Sequence, residues 1–142
     1  VTRREERGSA TVEAAVGAPA FALFVALIIM GGRTATAHQA LESAAADAAR
    51  SASLARSAPA AAVAARQAAR TSLDNQGLSC SDVTVTVDNQ AFARAVGRDG
   101  SVDVTVSCRL DLSNLSVPGV PGSRLLRASM SSPLDTWRER TP

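Results

Sequence analysis

Few side chains in this sequence carry reactive chemistry. Cys80 and Cys108 are its two cysteines, so at most one internal disulfide can form. A structural zinc site takes four Cys or His ligands, and His38 is the sole histidine. No histidine or cationic cluster sits near either cysteine in the sequence to lower a thiol pKa. His38 has no GxSxG partner motif, and neither HExxH nor a phosphate-binding glycine loop occurs. No two carboxylates stand out as an acid and base pair of the glycosidase type. The reading is therefore a chain with no catalytic residue, no metal ligand set and no cofactor, in which His38 is solvated or interfacial. One carboxylate is nevertheless conspicuous. Glu13 lies at the head of an uncharged apolar run, where an unpaired acid costs a few kcal/mol on entering lipid.

That run, Ala14 to Gly32, sets the position of Glu13. It contains no charged residue and is densest from Phe21 to Met30. As a helix it extends about 28 Å at ~1.5 Å per residue, close to the ~30 Å of a bilayer core. Pro19 lies inside it and predicts a mild kink, which membrane helices tolerate. Arg3, Arg4 and Arg7 precede the run, so the positive-inside tendency keeps that end cytoplasmic and sends the rest of the chain outside. Composition agrees with a membrane anchor rather than a deep-cored enzyme. Among 142 residues aromatics are only 3%, with no Tyr and one Trp, although hydrophobic residues reach 46%. The net charge of +2 is too small and dispersed for a phosphate-binding face, so nucleic acid is not an expected partner.

Around Glu13 the sequence reads RREERG, then SATVE, then the apolar run, with Glu13 fifth counting from Ser9. This arrangement resembles the class III signal of type IV pilins and pseudopilins. The stretch RGSATVEAAV is similar to the N-terminus of TadE-like minor pilins of the tight-adherence (Tad, or Flp) system. Ala14 departs from the aromatic residue common there. The resemblance implies that a prepilin peptidase cuts after Gly8 on the cytoplasmic side, making Ser9 the new N-terminus. It also implies that Glu13, the fifth-position acid, pairs with the N-terminal ammonium of a neighbouring subunit during assembly. Implied partners are that peptidase, other pilin subunits, the Tad assembly machinery and membrane lipid. Two alternatives are a membrane-anchored binding module that is never cut and a secreted domain cut after the apolar run.

Beyond the membrane segment, alanine-rich sequence continues in a helical style to about Ser57, and Pro59 opens a second helix that stops at Gly77. The pattern then alternates. Val83, Val85 and Val87 share one strand face, as do Val102, Val104, Val106, Cys108 and Leu110. A short run at 91–97 reads as a further strand, with Arg98, Asp99 and Gly100 as a turn. Gly119, Pro121 and Gly122 mark a loop, and 124–130 is a last strand. Outside the cytoplasm a Cys80–Cys108 disulfide is the default. It would stabilise the fold by roughly 3.6 kcal/mol on the chain-entropy model. Trp137 is expected to dock back on the sheet, the alternative being that it stays exposed for a partner.

The expected fold is α+β. A long N-terminal transmembrane-plus-stalk helix precedes a second helix packed on a small three- to four-stranded antiparallel sheet. The expected organisation is a leader over 1–8, a membrane helix over 9–33, an alanine-rich stalk over 34–57 and an extracytoplasmic head over 58–142. The expected function is that of a minor pilin or pseudopilin in assembly, adhesion or secretion.

Overall fold

A computed structural model describes residues 6–111 and 122–139, with side chains from residue 12 onward. The chain divides into two compact units, Val1–Thr36 and Ala37–Pro142. One helix, α1 (Glu6–Ser53), supplies the described part of the first unit and the opening helix of the second. Then follow α2 (Ala58–Asn75), β1 (Cys80–Asp88), a short 3-10 helix (Gln90–Ala93), β2 (Ser101–Asp111) and β3 (Ser123–Pro133). The class is α+β, as the alternating and helical periodicities indicate. The expected loop residues Gly119 and Pro121 lie outside the described residues, as do Arg3 and Arg4.

In the second unit the sheet order is β1-β2-β3, antiparallel throughout. Val85 faces Val106, and Val106 faces Ala128. The period of two turns Val102, Val104, Val106 and Cys108 inward, where all four are fully buried. Val83, Val85 and Val87 of β1 are half-buried on the same face.

Helix α2 is delimited by its own end residues. Ser57 is the N-cap, its hydroxyl accepting from the Ala60 N–H at 3.4 Å, and Pro59 sits in the first turn. Such a cap contributes about 1 kcal/mol. At the other end Gly77 takes φ 66, a left-handed value that a side chain disfavours. The Leu78 N–H then reaches back to the Leu73 carbonyl at 3.0 Å and closes the helix. Between these ends Ala61, Ala65, Ala69 and Leu73 recur every fourth residue and are buried.

From Ala37 onward the stretch 34–57 is the core helix of the second unit. Leu41, Ala44, Ala45, Ala48 and Ala52 are all at 0% exposure. Alanine lacks bulk, so this helix can pack closely into a core shared with α2 and the sheet. The helices are joined by polar contacts as well. Ser72 donates to the Asp47 carboxylate at 2.7 Å, and the Gln76 amide donates to the Ala40 carbonyl at 3.3 Å. One expectation needs correction: 91–97 is not a strand. Asp88 accepts from the Gln90 N–H at 3.1 Å and starts the 3-10 turn. That turn buries Ala91 and Phe92, the largest fully buried side chain among the described residues, beneath the sheet's apolar face. The last strand extends to Pro133, and among the described residues the sheet has three strands.

The disulfide joins Cys80 at the start of β1 to Cys108 on β2, with Cα atoms 5.5 Å apart. Cys108 is fully buried, so the bridge is part of the core.

Candidate functional site: the apolar first unit and its acidic head

The first unit is described as a helix from Glu6 to Thr36, and it leaves its large apolar side chains in the open. Val12, Val16, Phe21, Leu23, Phe24, Leu27, Ile28 and Ile29 are each more than half exposed. They occur around the helix rather than on one stripe, so no single packed partner within a soluble fold would cover them. The mean hydropathy is 2.3 over the best window, and among the described residues this helix alone is long and apolar enough to cross a membrane. On insertion scales eight such side chains favour lipid by roughly 2–5 kcal/mol together. Pro19 sits inside the helix without ending it.

Polar groups at the far end are satisfied locally. Thr34 donates to the Met30 carbonyl at 2.9 Å, and Thr36 to the Gly32 carbonyl at 3.1 Å. These back-bonds hide hydroxyls that would otherwise seek water. Arg33 is exposed there, with a stem long enough to reach a headgroup region.

The predicted processing residues fall in the opening turns. Gly8 and Ser9 both have helical backbone, since α1 begins at Glu6. Glu13 is exposed on the same helix, four residues beyond Ser9, about one turn away. Glycine weakens a helix by about 1 kcal/mol relative to alanine, and the opening turn lacks its full set of intrahelical bonds. The Gly8–Ser9 bond therefore lies in the opening turns of α1, which unwind at less cost than the helix interior. One carboxylate at the centre of a membrane helix costs about 2.5–3.5 kcal/mol. That is comparable with the whole apolar gain, so the depth at which Glu13 sits depends on whether a cation meets it.

His38 is on the surface, its Nε2 3.4 Å from a Glu42 carboxylate oxygen one turn on, with both side chains about half exposed. A pair so exposed contributes little. Among the described residues no cluster of three His, Cys, Asp or Glu side chains could hold a metal ion. Trp137, expected to dock, is instead 83% exposed. Its backbone is fixed by the turn around it. The Trp137 N–H donates to Asp135 at 3.0 Å, and the Thr136 carbonyl accepts from the Gly97 N–H at 2.8 Å. Those bonds use the ends of the turn and leave the indole outside.

Sequence reasoning did not single out Arg124 and Arg127 of β3 or Asp82 and Asp88 of β1. Their significance depends on strand order, which no local pattern reveals.

The profile of TadE-like proteins matches residues 8–50. No curated protein and no solved structure matches the chain. The matched segment opens on Gly8, includes Glu13 and the whole apolar run, and ends within the buried alanines of α1. Residues 8–50 of this chain are thus similar to TadE-like proteins.

Proposed function

We propose that this chain is a minor pilin or pseudopilin of a Tad-type pilus, a structural subunit rather than a catalyst. The observation that carries the proposal is the TadE-like match beginning at Gly8 and covering an exposed apolar helix headed by Glu13. In this reading a prepilin peptidase cuts between Gly8 and Ser9 on the cytoplasmic side. The apolar helix remains and holds the subunit in the membrane as a single-pass anchor, with the second unit outside. Cleavage creates an ammonium at Ser9. Glu13 of one subunit meets that ammonium of its neighbour, which removes the cost of an unpaired acid in lipid. The assembly machinery extracts the subunit from lipid into a filament or secretion pseudopilus, and the second unit caps, primes or decorates it and can serve adhesion.

The test is the intact mass of the protein from a membrane fraction. The expected chain starts at Ser9. A chain that keeps the Gly8–Ser9 bond would instead be an anchored extracytoplasmic binding module, with no ammonium for Glu13. A chain starting beyond Arg33 would have lost its anchor, and the assembly reading would fail with it.

A further inference from the structure

The sheet of the second unit has two edges, β1 and β3, and among the described residues no strand pairs with the outer side of either. Open edges are usually protected by bulges, internal prolines, charged side chains or short length. Strand β3 carries the charges of Arg124 and Arg127 but no bulge and no internal proline, whereas β1 shifts register between Cys80 and Asp82. Strand β3 pairs regularly with β2 from Ser123 to Pro133, its only proline is the last residue, and Leu125 and Met130 are 43% and 36% exposed on it. The two edges carry opposite charge. Asp82 and Asp88 are the charged residues of β1, and Arg124 and Arg127 are those of β3. Both strands run antiparallel to β2 and therefore parallel to each other.

We infer that β3 of one copy pairs with β1 of a second copy, in parallel, so that the sheet continues from chain to chain. Like edges repel in the registers that set Arg124 or Arg127 of two β3 strands, or Asp82 or Asp88 of two β1 strands, opposite one another. Unlike edges attract, and a parallel arrangement keeps every copy the same way up with its helix-covered face on the same side. In the register that sets Arg127 opposite Asp82 of the second copy, Ala128 and Met130 meet the half-buried Val83 and Val85 on the helix side. On the open side Ser129 and Ser131 meet Thr84 and Thr86. Asp82 already faces Arg109 across its own ladder, so its carboxylate would lie between two guanidinium groups. Such a contact is heterologous and open, and it generates a row of subunits rather than a closed dimer. It goes beyond the assembly reading, since it needs a second copy but neither cleavage at Gly8 nor Glu13.

Cysteine cross-linking of the full chain in detergent micelles tests it. Thr84→Cys and Ser129→Cys are made separately, both at exposed positions. Under mild oxidation the mixture should give a covalent dimer at least tenfold more abundant than either variant alone. A dimer from Ser129→Cys alone at the level of the mixture would show β3 pairing with itself and overturn the inference. Absence of any cross-linked dimer would overturn it too. Adding Arg127→Asp to the Ser129→Cys chain, or Asp82→Arg to the Thr84→Cys chain, should lower the yield at least tenfold, and combining the two charge-swapped chains should restore it. Failure to restore, in chains whose circular dichroism remains native, counts against the pairing. The N-terminal mass is read independently, so loss of the edge contact and loss of the processing reading are separate results.

Discussion

Glu13 combines two demands that oppose each other. Its helix favours lipid through Phe21, Leu23, Phe24 and their neighbours, yet its own carboxylate resists lipid. Replacing it by alanine should make membrane insertion more favourable, by ~2–3 kcal/mol at most, since that cost holds at the helix centre and Glu13 lies at the head of the apolar run. If the carboxylate exists to meet a neighbour's ammonium, the same Glu13→Ala change should lower incorporation into filaments at least tenfold. Quantifying the variant in membrane and sheared-filament fractions separates the two effects, and undiminished incorporation would remove Glu13 from the mechanism. This residue and Gly8 were legible in the sequence because their meaning lies in linear spacing. Arg127 and Asp82 were not, because their relation exists only after three strands have been ordered.

Among the elements, the strands were the most legible. Alternating valines at 102, 104 and 106 can bury one face in only one way, and all three are fully buried. The 91–97 segment misled because its apolar residues have no strict period, and the Asp88 contact to the Gln90 N–H starts a tight turn instead. The alanines were only partly legible: leucine is sparse between Thr34 and Ser57, and which surface the small side chains pack on emerges only in the structure, where their methyl groups are the core surface. That packing tolerates little added volume. Ala65 of α2 is at 0% exposure, and Ala65→Leu should destabilise the second unit by about 1–3 kcal/mol through overpacking. Chemical denaturation followed by far-ultraviolet circular dichroism checks this, with Val63→Leu at a 59% exposed position of the same helix as the near-neutral control.

For the whole molecule, the disulfide compensates for the shortage of large side chains. Phe92, Leu41 and Leu73 are the bulkiest fully buried residues, and alanine supplies much of the remaining core. A core of this kind buries little apolar area per residue, so a cross-link between β1 and β2 matters more than it would in an aromatic-rich domain. Removing it with the Cys80→Ser, Cys108→Ser pair should cost about 2–5 kcal/mol. Denaturation midpoints of the oxidised and double-serine proteins measure the difference, and a change under ~0.5 kcal/mol would assign stability to the alanine packing alone.

The outward indole has a spectroscopic consequence. Trp137 is the only tryptophan, the chain has no tyrosine, and this residue is already 83% exposed. Its emission in the folded protein should already be red-shifted, and unfolding should change that colour very little. The usual fluorescence signal of denaturation is therefore nearly silent in this protein. The same ring becomes a selective reporter of a different event, because only a surface that covers the Asp135–Arg138 turn would move its emission to the blue.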